Sequence, residues 1–252
     1  MSVLLIDIGN TRVKWASCDR AGIARARAAR YAAWSSRDFR RVLGAQQRWE
    51  QILVSSVAAP EVNAALVRAA RERDAPVPQF VTTRRQACGI TVGYLDPWRL
   101  GVDRFLGMIG ARAHFTRGPV CVVAVGTAMT IDLLGSEGRH HGGAIVPAPT
   151  LMVSSLLDGT RGIRPRARGG SAGAGPALFG RSTRAALEQG ARYAAAAAVD
   201  RAVLEARTLL HRVPLVVLTG GGAAELRPLI RSASREVPDL VLWGLAVWAR
   251  EG

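Results

Sequence analysis

The chain alternates short, unbroken apolar runs with stretches in which apolar residues return every three or four positions. The runs are expected to be buried strands and the stretches helices. Strands are predicted at 2–7 and 12–18, with a third, basic one near 22–30. The segment "SSRDFRRVLG" starts like a helix, with serine at the cap and leucine packing inward. "QILVSS" (51–56) reads as a buried strand, and "PEVNAALVRAARER" follows as a helix with Pro60 in its first turn. A short strand near 78–82, a loop through "GYLDPWRLGVDR" and a helix from about 103 to 115 complete the first part. The second part reads as strand, turn, strand in "GPVCVVAVGTAMTIDLLGSEG", then a strand in "HHGGAIV" and a helix after Pro147. Residues 158–180 are rich in Gly, Arg and Ser and are expected to form a mobile loop, either a lid or a plain surface segment. A long helix over 181–211, a strand and glycine turn in "VPLVVLTGGGAAEL", and a closing helix in "VPDLVLWGLAVWARE" end the chain.

"LLIDIGNTRVKW" and "CVVAVGTAMTID" share one pattern: an apolar strand, a glycine, a short polar turn with threonine, then a β-rich strand. Their glycines, Gly9 and Gly126, lie close to half the chain apart. Similar halves of similar length predict a duplicated α/β domain, residues 1–117 and 118–252, with a cleft between. A chain of 252 residues with 49% apolar composition is long enough for two such cores.

Charge and cysteine content narrow the setting. The formal charge is +15, with 34 lysines and arginines of which Lys14 is the only lysine. Such a surface attracts anions without naming them; no helix-turn-helix, zinc knuckle or aromatic RNA-binding stripe accompanies it, so nucleic acid is not the expected partner. Cys18, Cys88 and Cys121 are odd in number and widely spaced, which fits reduced thiols in a cytoplasmic protein rather than a disulfide framework. The four histidines, including His140–His141, lack metal-ligand spacing. The apolar run "LVLWGLAVWA" covers about half of the ~20 residues a membrane span needs.

Candidate chemistry gathers at three turns. A hairpin glycine tolerates positive φ and lets backbone N–H groups approach a ligand. Around Gly9, the residues Asp7, Asn10, Thr11 and Lys14 add a carboxylate, an amide, a hydroxyl and an ammonium. The N–H groups, amide, hydroxyl and ammonium suit phosphate oxygens, whereas Asp7 suits them only through an intervening Mg²⁺. A hairpin with a turn-favouring "GNT" and an exposed acid is the bland alternative. Gly126, Thr127, Ala128 and Thr130 form a second such turn, and Gly220 to Gly222 a third that opens a helix. A separate acid, Asp103, stands beside Arg104 at a glycine-bounded helix start, as a general base or simply as the helix N-cap.

This order of turns resembles the superfamily of acetate and sugar kinases, Hsp70 and actin, and most closely the type III pantothenate kinases, a family that includes the Bvg accessory factors. The resemblance runs through "DIGNTRVKW", "GVDR" (101–104), "VGTAMTID" (125–132), "GGAIVPAPTLMVSSL" (142–156), "GRSTRAALEQG" (180–190) and "LTGGGAAEL" (218–226). It implies two related ribonuclease H-like (actin-like ATPase) domains and ATP-dependent phosphorylation of pantothenate, the first step of coenzyme A biosynthesis. By resemblance Asp103 is the catalytic base. Asp7, Ile8, Gly9, Asn10, Thr11, Arg12, Val13, Lys14 and Thr127 bind ATP, with Asp7 meeting Mg²⁺ through the nucleotide. Tyr94, Gly101, Val102, Asp103, Arg104 and Thr183 surround the substrate; otherwise Tyr94 is a core-edge aromatic and Thr183 part of a helix cap. The family needs K⁺ or NH₄⁺, associated with an aspartate two residues before Gly-Thr-Ala, where this chain has Ala124, so either other groups hold the ion or the dependence is altered. The family's Pro-Gly reads Pro147–Ala148 here. A homodimer is also implied, for which the small-residue face of the helix at 181–211 is one candidate surface and an intrachain core its other use. A regulatory accessory protein, or another small-molecule kinase on the same scaffold, is the alternative function.

Overall fold

The computed structural model describes residues 2–30, 34–44, 48–168 and 177–251. In chain order the strands are β1 (Val3–Ile8), β2 (Arg12–Asp19), β3 (Gly22–Ile23), β4 (Arg27–Arg30), β5 (Gln51–Ser56), β6 (Gln79–Phe80), β7 (Gln86–Ala87), β8 (Ile90–Thr91), β9 (Val120–Val125), β10 (Ala128–Leu134), β11 (His140–Pro147), β12 (Leu215–Thr219) and β13 (Ser234–Glu236). The helices are α1 (Ser36–Leu43), α2 (Pro60–Glu72), α3 (Val102–His114), α4 (Pro149–Gly159), α5 (Ile163–Ala167), α6 (Thr183–Leu210), α7 (Ala223–Leu226) and α8 (Leu240–Glu251).

The first sheet runs β3-β2-β1-β5-β6 and the second β11-β10-β9-β12-β13. Each is built on an antiparallel hairpin, β1–β2 or β9–β10, whose first strand also pairs in parallel with a later strand, β5 or β12. The two sheets therefore repeat one strand order, the structural counterpart of the repeated glycine turns.

Strand alternation sorts side chains between the faces of the first sheet. Leu4, Ile6 and Ile8 of β1 join Ile52 and Val54 of β5 under Phe39 and Leu43 of α1 and Leu66, Ala69 and Ala70 of α2. Leu5 and Asp7, with their parallel partners Leu53 and Ser55, point to the opposite face, against which α3 and α8 pack. In the second sheet Val123 and Val125 of β9, with Val216 and Leu218 of β12, pack beneath Ala195, Ala196, Val199 and Val203 of α6. The small residues of α6 thus serve an intrachain core.

Two compact units result: residues 1–116, 137–140 and 239–252, and residues 117–136 and 141–238. The division differs from a single boundary at 117, because α8 returns to the first unit. The reason is a helix crossing closer than side chains allow. A Cβ on Gly110 would collide with the Leu240 carbonyl, and one on Gly244 with the Leu106 carbonyl. Trp248 meets Phe105 edge-on at 6.2 Å, and Trp243 meets His114 at 4.6 Å. Leu240, Leu242 and Leu245 are wholly buried there.

The expected third strand is split into β3 and β4. The hairpin β7–β8 and the polar strand β13 are too short to carry an apolar pattern. The expected mobile loop is helical over its first part, in the end of α4 and in α5, while residues 169–176 lie outside the described residues. Among the described residues no helix is long and apolar enough to cross a membrane.

Gly244→Ala is expected to lower unfolding free energy by about 1–3 kcal/mol through overpacking, although alanine favours an isolated helix by about 1 kcal/mol. Gly107→Ala, whose Cβ meets open space, is expected to be neutral or mildly stabilising. Urea denaturation followed by tryptophan fluorescence checks both.

Candidate active site

The β1–β2 hairpin closes with the Gly9 N–H donating to the Arg12 carbonyl at 3.0 Å, just beyond the last pair, Ile8 and Val13. Asn10, Thr11 and Arg12 are exposed at the tip. Ile8 and Val13 are fully buried, so they offer a ligand only backbone groups. The second hairpin repeats the closure, the Gly126 N–H donating to the Ala128 carbonyl at 3.0 Å with Thr127 exposed. Neither Gly9 nor Gly126 has a positive φ. A Cβ there would only touch the Arg12 or Ala128 carbonyl, at 3.4 and 3.5 Å. The expected conformational reason for these glycines therefore does not apply; what they leave is an open tip.

The third turn does demand glycine. Gly220 sits at φ +95°, and a Cβ on Gly222 would lie 2.7 Å from Val125 Cγ1. The Gly222 N–H donates to the Val125 carbonyl at 3.1 Å. Two of the three glycines are explained by packing on the end of β9, which favours the plain strand–helix turn at these positions.

On the α3/α8 face of the first sheet, four charged groups from four elements share one neighbourhood. Asp7 and Lys14 are cross-strand partners on β1 and β2. The Lys14 Nζ donates to Asp239 Oδ1 at 2.8 Å, from the residue just before α8. Withdrawal from water pushes the Asp7 carboxyl up to about 7; Lys14 opposes this, and the like charges of Asp103 and Asp239 add to it. Such an acid is ready to meet a cation.

Asp103 occupies the second helical position of α3, and Gly101, not Asp103, is the N-cap. Its Oδ1 accepts from the Arg104 N–H at 2.9 Å. A Cβ on Gly101 would come 2.6 Å from that same Oδ1, so glycine makes the room the carboxylate uses. Val102 opens the helix between them. Arg104 is only 8% exposed, and its Nη1 donates to the Tyr94 hydroxyl at 2.9 Å. Tyr94 stacks on fully buried His140 at 5.6 Å. Arg85 pins the loop by donating to the Tyr94 and Leu95 carbonyls at 2.8 and 2.7 Å. The first unit thus unites the hairpin tip, Asp103 and the Tyr94–Arg104 pair.

In the second unit Ser182, not Thr183, caps α6, its hydroxyl accepting from the Ala185 N–H at 3.1 Å. Thr183 instead lines an apolar hollow of about 480 Å³ with Met152, Leu156, Ile163 and Leu187. Ala124 pairs with Thr130 on one side and Thr219 on the other, and the buried acid of β10, Asp132, pairs two residues back with Val122. Ala148 is buried with ordinary extended backbone, φ −69°, and needs no glycine. Among the described residues no three His, Cys, Asp or Glu side chains are grouped to hold a metal.

The model of the type III pantothenate kinase family matches residues 3–205. The chain belongs to that family. It is 38% identical to a type III pantothenate kinase of Stenotrophomonas maltophilia, over 99% of this chain and 98% of that one. The corresponding enzyme of Nitrosococcus oceani is 33% identical, over 99% and 94%. Among solved structures, a Campylobacter jejuni protein described as a Baf family transcriptional activator superposes with a TM-score of 0.56 at 18% identity, covering 98% of each chain. The activator of 2-hydroxyisocaproyl-CoA dehydratase from Clostridium difficile, solved with ADPNP, gives 0.52 at 13% identity, over 99% and 94%. At these identities the structures speak for the fold alone: two-domain α/β, of the actin-like ATPase and sugar kinase type.

Three residues of this neighbourhood escaped sequence reasoning: Asp239, His140 and Arg85. Asp239 and Lys14 are 225 residues apart. In "VPDLVLWGL" the acid reads as an ordinary helix-start residue, so no local signal marks it.

Raised above its unfolded value, the Asp7 carboxyl contributes stability that is complete below about pH 4 and lost as pH rises through about 7. The ligand-free protein should therefore lose more thermal stability between pH 5 and pH 7.5 than its Asp7→Asn variant. Parallel melting curves across that range check the difference.

Proposed function

We propose that this protein transfers the γ-phosphoryl group of ATP to the primary hydroxyl of pantothenate, opening coenzyme A biosynthesis, with Asp103 as general base. Family membership supports the reaction. The observation that carries the residue assignment is the first unit's own geometry. Asp103, given room by Gly101, starts a helix in the same unit as the Asp7–Lys14 hairpin and beside the buried Arg104–Tyr94 pair.

Each part has a distinct task. The tip N–H groups, Asn10, Thr11, Arg12 and Lys14 offer donors and positive charge to phosphate oxygens. Asp103 takes the hydroxyl proton as the new O–P bond forms and the bond to the β-phosphate oxygen breaks, releasing ADP. Arg104, fixed by Tyr94, is positioned for the pantothenate carboxylate. The hard carboxylate donor Asp7, withdrawn from water and flanked by like charges, fits Mg²⁺ carried in with ATP. When bound, that ion neutralises phosphate charge.

The monovalent cation is a different case. With Ala124 between two threonine-bearing strands, the usual ligand is missing, and the residues present do not fit the family's arrangement. We assign no step to it. We also place the enzyme in the cytoplasm, as expected for free thiols, and expect a homodimer, for which α6 offers exposed Leu204 and Leu209.

A coupled ADP-release assay with ATP, Mg²⁺ and pantothenate should show turnover in the purified protein. Asp103→Asn should cut kcat by about 10²–10⁴-fold with melting temperature unchanged; full activity in that variant overturns the assignment. Gly101→Ala should displace the same carboxylate and lower kcat by up to about 10²-fold, a loss seen in steady-state rates without a matching rise in the KM for ATP. Repeating the wild-type assay with Na⁺ in place of K⁺ should change the rate by less than about twofold, since the usual carboxylate is gone.

A further inference from the structure

Lys14 has two carboxylates within its reach, and it does not pair with its cross-strand neighbour. Its hydrogen bond goes to Asp239, at 2.8 Å, with both side chains only about a quarter exposed. Asp239 holds this position from an unusual backbone. Its φ is +57°, in the left-handed region that non-glycine residues seldom adopt. Its carbonyl accepts the first bond of α8, from the Trp243 N–H at 3.2 Å, while its carboxylate is turned to Lys14. The glycine-mediated crossing of α8 on α3 fixes where that residue stands.

A lysine ion-paired with Asp7 would consume the two groups that the phosphate site needs separately: an ammonium for the anion and a carboxylate for its cation. A second carboxylate that takes the ammonium's hydrogen bond prevents this. We propose that Asp239 is a positioning residue of the nucleotide site, which holds the Lys14 ammonium extended and away from Asp7. The proposal rests on the ATP reading above. Asp239 touches neither nucleotide nor substrate in this role; it acts through Lys14, and its removal acts on nucleotide affinity rather than on pantothenate.

The test is a double-mutant cycle on the full-length protein, read by calorimetric titration with a non-hydrolysable ATP analogue in Mg²⁺ and by steady-state kinetics. Asp239→Asn should weaken analogue binding and raise the KM for ATP about tenfold, the scale of one hydrogen bond to a charged group. The KM for pantothenate should stay within about twofold. Asp239→Glu should recover part of the loss. In a Lys14→Met background, Asp239→Asn should add nothing further, because the residue works only through the lysine. Additive losses in the double variant, or wild-type affinity in a folded Asp239→Asn protein, would overturn the proposal. Should Asp239→Asn not fold, the cycle run with Asp239→Glu and Lys14→Met decides it by the same coupling. A wild-type protein that does not bind the analogue would instead sink the ATP reading itself.

Discussion

The backbone-to-backbone approach of α8 to α3 governs the first unit. Helices normally stand 8–10 Å apart because side chains intervene. Here Gly110 and Gly244 remove the intervening Cβ atoms, and each faces a carbonyl of the other helix. The chain's last helix is thereby locked to the helix that begins at Asp103. Both lie on the face of β1 that carries Asp7. A rearranged crossing would shift Asp239 relative to Lys14 even with every strand in place.

Charge is the second constraint. Burial raises the affinity of Asp7 for a proton, and the nearby negative charges of Asp103 and Asp239 add to it against the opposing pull of Lys14. In a protein with a formal charge of +15 this local inversion is conspicuous. It costs stability that a hydrophobic cluster would not cost. One of the four described non-glycine residues with positive φ, Asp239, is the residue bonded to Lys14.

Several features were legible in advance because their causes are local. Period-two and apolar-run patterns marked β1, β5, β9 and β12, and capping and proline signals marked α1, α2 and α6. The repeated glycine turns announced the repeated strand order. Other readings needed revision for physical reasons. The tolerance of Gly9 and Gly126 for positive φ is not used, since both have ordinary backbone; Gly220 and Gly222 are the glycines that packing on Val125 demands. Asp103 is not the N-cap of α3, a place held by Gly101, whereas Ser182 caps α6 as the Ser182–Thr183 pair allowed.

Sequence alone determined the strands and helices, the two-fold repeat, the family and the identity of the hairpin and "GVDR" motifs, since each depends on residues close together in the chain. Tertiary structure alone decided that the C-terminal helix belongs to the first unit, that Arg104 is buried against Tyr94 and His140, and that Asp239 answers Lys14. Those contacts join residues up to 225 positions apart. No local periodicity encodes such a distance; only the packing of α8 into the glycine-lined groove of α3 closes it.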